Sequence, residues 1–151
     1  MDKELIEQGW ITRPAVGFNE VAGPFLARKD GEDWLSGFRV EARHLNFNGS
    51  VHGGMMATFA DSFLGRLVAS SIKPRRCATL QLNLQYVRAT ALGDFVIGRG
   101  EIIRVTRSIV FVVGQLTVNS NIVAIAQGVW KILESSSHGG SKPDTRRIVQ
   151  N

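Results

Sequence analysis

One segment decides most of what this chain can fold into. From Met55 onward, Met56, Phe59, Phe63 and Leu67, with Leu64 and Val68 beside them, recur every three or four residues. That is the period of a helix, and one so apolar around its circumference has to be buried. It spans 53–70. The surrounding chain reads as strand. Segment 79–88 alternates, with Leu80, Leu82, Leu84 and Tyr86 on one face and Thr79, Gln81, Asn83 and Gln85 on the other. Segments 94–105, 108–118 and 122–133 are rich in Val and Ile and separated by short polar breaks. Upstream, 25–29 and 34–42 read as two strands joined at Asp30-Gly31, a favoured hairpin dipeptide. Such spacing predicts an antiparallel meander, whose apolar face needs a cover. Only segment 53–70 is long enough to supply it. The expected class is α+β, an antiparallel sheet of five to six strands wrapped around one long central helix.

Segment 2–9 reads as a short helix with Leu5 and Ile6 available for packing. Segment 10–22 reads as irregular, with loop chemistry from Gly17-Phe18 to Gly23-Pro24. Segment 135–151, rich in Ser, Gly and charge, reads as a disordered tail, leaving 1–134 as one domain. The balance of 18 basic and 13 acidic residues gives +5, mildly favourable to an anionic ligand. The basic residues are scattered and only 8% of residues are aromatic, which argues against a nucleic-acid partner. The single cysteine, Cys77, allows no internal disulfide. The charged start is unlike a signal peptide and no apolar run is membrane-spanning, so a cytoplasmic protein with no membrane partner is expected.

One stripe of the long helix differs from the rest. At about 100° per residue, Gly54, Ala57, Asp61 and Gly65 fall within about 40° of one another. A buried carboxylate is costly unless something pairs with it. Either the stripe is a close packing contact, with Asp61 bonded to a backbone amide, or small neighbours leave room for a ligand. His52-Gly53-Gly54 at the helix entrance favours the ligand. Each glycine disfavours helix by about 1 kcal/mol relative to Ala. The first amides of a helix lack internal partners and carry the positive end of its dipole. Glycine lets a ligand oxygen approach them closely, the geometry of an oxyanion hole.

Asn46-x-x-Gly49-x-x-His52-Gly53-Gly54, followed by Asp61 on the same helix, resembles the hot-dog-fold acyl-CoA thioesterases of the phenylacetic-acid-degradation (PaaI-like) type. The resemblance covers roughly 18–133. It implies a hot-dog fold and hydrolysis of an acyl-CoA thioester to free acid and CoA, with coenzyme A as part of the substrate and no separate cofactor. It implies that the Gly53 amide polarises the carbonyl and that Asp61 acts as general base or nucleophile. It places Asn46 and His52 beside the reacting group and Thr79 where a hydroxyl orients the water. Gly54, Tyr86 and the basic turn Arg104, Arg107, Ser108 and Ile109 are assigned by it to the substrate and its coenzyme. Simpler readings stand beside these. Asn commonly caps turns, and a His before a helix more often orders the turn than acts as a base. Alternation puts Thr79 on the polar face of its strand. Arg88-Ala89-Thr90 stands where the family often has Pro.

Other signatures are weaker. His44, His52 and Glu41 match no familiar metal-ligand spacing, so no metal is expected. Ser70-Ser71-Ile72-Lys73 lacks the companion elements of S-x-x-K enzymes. A hot-dog hydratase or dehydratase would need an acid–base pair that does not appear downstream of Asp61. A non-catalytic acyl-CoA-binding protein would have less need of Asp61. Met55, Met56 and Phe59 are candidate pocket walls, and methionine adapts to many shapes.

Assembly follows from helix geometry. Gly53 and Asp61 are eight residues apart, about 12 Å along one helix. A base and an oxyanion donor must converge on one carbonyl. Two antiparallel helices from two copies can achieve this, so a homodimer with shared sites is expected, each site taking Gly53 from one copy and Asp61 and Thr79 from the other. Assembly of such dimers into a tetramer is implied by the resemblance.

Overall fold

The structure, a computed structural model, describes residues 3–134; the tail expected at 135–151 lies outside the described residues. The elements are α1 (Lys3–Glu7), β1 (Ile11–Thr12), α2 (Phe18–Ala22), β2 (Leu26–Asp30), β3 (Asp33–Arg39), α3 (Gly53–Ser71), β4 (Arg76–Tyr86), β5 (Phe95–Val105), β6 (Ile109–Val118) and β7 (Asn121–Leu133). A 3-10 turn at Ala42–His44 precedes α3. The strands form one seven-stranded sheet in the order β1-β2-β3-β5-β6-β7-β4, with every neighbouring pair antiparallel. The long helix lies on one face of this sheet, the expected α+β hot-dog arrangement.

Packing follows the apolar period. Met56, Phe59, Ala60, Phe63, Leu64 and Val68 of α3 are buried against the sheet. Phe59 sits in an aromatic cluster, its ring centroid 4.8 Å from Phe38, 5.3 Å from Phe25 and 5.3 Å from Phe63. Burying each such side chain stabilises by about 1.5–3 kcal/mol. Glycines in the strands let the helix settle this close. A Cβ at Gly98 would stand 2.8 Å from the Phe63 ring, and one at Gly100 2.8 Å from a Leu64 methyl. A second cluster, Leu5, Trp10, Leu26 and Leu35 with Phe95 and Ile97, forms where α1 and the following turn fold over the opposite sheet face. Ile6 takes no part and is exposed.

The strand order corrects the expected meander. β4 does not pair with β5; it pairs with β7 at the far edge, while β5 pairs with β3. The helix carries the chain across. From β3 to β4 there are four inter-strand steps, roughly 19 Å, and α3, with 19 residues, is about 28 Å long. The strand count also exceeds five to six, because the two-residue β1 pairs with β2 inside the stretch expected to be irregular. Helix α2 lies in that stretch too. Both are too short to show a period. The β2–β3 hairpin turns one residue later than expected, at Gly31-Glu32 between the paired Asp30 and Asp33, with Gly31 at φ 61. Among the described residues, no helix is long and apolar enough to cross a membrane.

Candidate active site

The entrance of α3 is held by the turn that leads into it. Asn46 Oδ1 accepts hydrogen bonds from the Asn48 and Ser50 amides at 2.8 and 3.3 Å, and its Nδ2 donates to Ser50 Oγ at 3.0 Å. Gly49, at φ 77, takes the left-handed position that favours glycine. Asn46 thus organises the turn, the simpler of its two readings, while also lining a cavity of about 310 Å³ with Gly53, Tyr86 and Thr90. The Thr90 carbonyl accepts from the Val51 amide at 2.9 Å, so the Arg88-Ala89-Thr90 segment props the turn without a proline.

His52 is the N-cap. Its Nδ1 accepts from the Gly54 amide at 2.9 Å, and its carbonyl accepts from the amides of Met55 at 2.9 Å and Met56 at 3.3 Å. An accepting Nδ1 carries no proton, which leaves Nε2 as the ring's only donor position. Of the amides opening the helix, Gly53 alone has no hydrogen-bond partner among the described residues. A Cβ at Gly54 would stand 3.0 Å from His52 Nδ1 and press on the cap. Tyr86 closes the other side, its hydroxyl donating to the Gly53 carbonyl at 2.9 Å. The geometry leaves one N–H at the positive end of a 19-residue helix free for a ligand oxygen.

Asp61 lies two turns further along α3, partly exposed, in a cleft of about 480 Å³ with Phe18, Asn19, Ala57, Ser62 and Leu82. Thr79 Oγ1 donates to Asp61 Oδ1 at 2.7 Å. Strict alternation would turn Thr79 away from the helix when Leu82 and Leu84 face it. A β-bulge between Thr79 and Gln81 inserts Leu80 as an extra residue. Thr79 therefore shares the helix-facing side with Leu82 and Leu84, which pack on the core, and Leu80 is exposed. Placing Thr79 on the polar face by alternation is corrected by this bulge.

Both readings of the small-residue stripe find a place on it. Gly65 is a packing contact, since a Cβ there would stand 3.3 Å from Trp130 Nε1. Ala57 and Asp61 face the cleft. Of the candidate walls, Met55 and Met56 each line a cavity at the entrance, whereas Phe59 is fully buried in the aromatic core. Burial, and next the Asp61 carboxylate, push the Cys77 thiol pKa up, which disfavours the reactive thiolate.

The remaining candidates lie elsewhere in this chain. Arg104 lines a groove on the sheet face turned away from α3, with Gln81, Asn83 and Phe111. Arg107 and Ser108 form the β5–β6 turn, where Thr106 Oγ1 accepts from the Ile109 amide at 2.9 Å. The cavities lined by Gly53 and by Asp61 draw on none of these residues, and they are two separate cavities. Among the described residues no three His, Cys, Asp or Glu gather to hold a metal ion. Sequence reasoning missed Phe18 and Asn19, which α2 brings over the Asp61 cleft, with Ser62 Oγ donating to Asn19 Oδ1 at 2.7 Å. A five-residue helix leaves no periodic signal by which to find them.

A single long helix on one face of an antiparallel sheet matches a known class. The family model for the thioesterase superfamily matches residues 48–124, and the chain belongs to that superfamily. A Pseudomonas aeruginosa protein whose name proposes an esterase is 29% identical over 115 residues, covering 75% of this chain and 86% of that protein. Acyl-coenzyme A thioesterase 13 of Mus musculus is 25% identical over 97 residues, covering 64% of this chain and 69% of the relative. A Streptococcus mutans protein solved bound to acetyl CoA is 27% identical with a TM-score of 0.61, covering 66% of this chain and 79% of that one.

Proposed function

We propose that this protein is an acyl-CoA thioesterase, hydrolysing an acyl-CoA thioester to the free acid and CoA. The observation that carries the reading is the Gly53 N–H, without a partner among the described residues at the entrance of α3, on the same helix as an Asp61 oriented by Thr79. The thioester carbonyl oxygen accepts from this N–H, and the helix dipole stabilises the charge that develops there. Asp61 either takes a proton from the attacking water or attacks the carbonyl itself. Thr79 occupies Oδ1 with its hydroxyl hydrogen bond and leaves Oδ2 for that task. The named relatives support a thioester substrate, one being an acyl-coenzyme A thioesterase and another having been solved with acetyl CoA.

One chain cannot complete the site, because Gly53 and Asp61 line different cavities about 12 Å apart along α3. In this reading a second copy completes it, the two α3 helices running antiparallel so that Gly53 of one faces Asp61 of the other. β4 is one of the sheet's two edge strands, and edge-to-edge pairing there would bring the two helices side by side. Coenzyme A enters as part of the substrate, with Tyr86 and the Arg104–Ile109 turn as its proposed contacts. The test is thiol release over a panel of aryl, short-chain and long-chain acyl-CoA esters. No hydrolysis of any ester by a folded dimer overturns the reading.

A further inference from the structure

Next to the Asp61 cleft two arginines converge on one small cavity. Arg13, just after β1, and Arg66, on α3, line a space of about 230 Å³ with Pro14, Asn19, Phe25 and Ser62. The Nε of each is buried and without a hydrogen-bond partner. Neither arginine is ion-paired among the described residues; the arginine ion pairs there join Arg43 to Glu41 and Arg99 to Asp30 and Asp33. The Arg13 guanidinium carbon stands 5.0 Å from the Trp34 ring centre, which restrains that side chain. Burial, and next the charge of Arg13, push the Arg66 pKa down from its ordinary range. Two like charges brought together and partly desolvated are a cost unless they meet a counter-charge.

The cavity is continuous with the cleft in its walls. Asn19 and Ser62, hydrogen-bonded to each other at 2.7 Å, line both spaces. Arg66 is five residues beyond Asp61, about 7.5 Å along the helix axis. We infer that Arg13 and Arg66 form a subsite for an oxyanion group, carboxylate or phosphate, carried by the substrate whose thioester lies at Asp61. The inference rests on the acyl-CoA reading of that cleft. Guanidinium forks suit either group, since both present paired oxygens. The anion has two sources, a carboxylate at the far end of a dicarboxylic acyl chain or the 3′-phosphate of the coenzyme. The short distance from Asp61 favours the acyl carboxylate.

The experiment compares adipoyl-CoA with hexanoyl-CoA, which have equal carbon number, and the 3′-dephospho form of each. These are assayed with the wild type, Arg13→Gln, Arg66→Gln and Arg66→Lys. For an acyl carboxylate, the wild type prefers adipoyl-CoA by about tenfold or more in kcat/KM. The Gln variants erase that preference while leaving hexanoyl-CoA nearly unchanged, and Arg66→Lys keeps part of it. For a coenzyme phosphate, the Gln variants lose about tenfold on both acyl groups and nothing on the dephospho forms. Equal losses on all four substrates, or none on any, by variants folded by circular dichroism overturn the subsite. A second readout needs no catalysis: the Arg13 and Arg66 Nε–H resonances, assigned from the Gln variants, are followed by NMR during titration with adipate and with adenosine 3′,5′-bisphosphate. Shifts with either ion support the subsite even in a protein that hydrolyses no acyl-CoA, where only the thioesterase reading would fail. Absence of shifts with both overturns the subsite whatever the hydrolysis assay shows.

Discussion

The entrance of α3 and its middle solve the same problem differently. At the entrance, several polar groups are closed by residues a few positions away, Asn46 by Asn48 and Ser50 and Gly54 by His52, while Tyr86 and Thr90 reach in from further along the chain. In the middle, each partner comes from a distant part of the chain: Thr79 for Asp61, Asn19 for Ser62, Arg13 beside Arg66. What is left unbonded is a donor in both places but differs in kind, one neutral backbone N–H at the entrance and two charged guanidinium Nε groups in the middle. A locally closed turn presents a single donor in a fixed direction. A site assembled from separate elements can present several groups, and each depends on the whole fold.

The largest effect expected is at the carboxylate. Asp61→Ala should lower kcat by roughly 10²–10⁴-fold, with circular dichroism and melting unchanged. Wild-type turnover by the folded variant would make the middle of the helix mere scaffold. Gly53→Pro removes the one N–H at the entrance that has no partner among the described residues. Proline is tolerated at the first helical position, and His52, at φ −62 and ψ 132, already has the backbone that precedes proline. A loss of roughly 10²–10³-fold in kcat is expected. Mixing Gly53→Pro with Asp61→Ala then tests sharing, because each exchanged dimer holds one intact site. No return of activity, with exchange proven by mass spectrometry, would put both groups of a site in one chain.

Thr79→Val keeps the shape and strand preference of the side chain but removes the hydroxyl. A drop of about tenfold in kcat/KM is expected, with Thr79→Ser near wild type. Equal rates for all three would reduce the bulge at Leu80 to a packing device. Arg107→Ala should raise KM for acyl-CoA by about threefold to tenfold and barely affect a truncated thioester lacking the nucleotide. Similar changes for both substrates would move the coenzyme away from the β5–β6 turn.

The smallest effect concerns pH and the support of the entrance. His44 is buried, its Nδ1 accepts from the Glu41 amide at 3.0 Å, and its carbonyl accepts from the His52 amide at 2.8 Å. Burial, and next the Arg43 charge, hold its pKa below the ordinary value. The unfolded chain therefore binds this proton first as pH falls. Its contribution to stability is complete above about pH 6.5 and is lost progressively as pH drops toward the lowered folded value. Melting temperatures of wild type and His44→Gln between about pH 7.5 and 5.5 should diverge in slope, the variant falling less. Parallel slopes would detach His44 from the acid sensitivity of the entrance.

Much of the fold was legible because periodicity is a local property. The apolar spacing from Met55 to Val68 located α3 to within one residue at its end, and the Val- and Ile-rich runs located β5, β6 and β7 nearly as well. The His52-Gly53-Gly54 cap was legible for the same reason, since the bonds that His52 makes to the amides of Gly54, Met55 and Met56 close within four residues. Tertiary structure alone decided the rest. Pairing β4 with β7 depends on where a helix delivers the chain, which no residue of β4 encodes by itself. The bulge that turns Thr79 toward Asp61 exists because β4 must satisfy both a helix above it and a neighbour beside it. Helix α2, and with it the approach of Asn19 to Ser62, is too short to be stable alone and is held by what it packs against. Arg13 and Arg66 are 53 positions apart in the chain and share a cavity only because the segment that follows β1 passes beside α3.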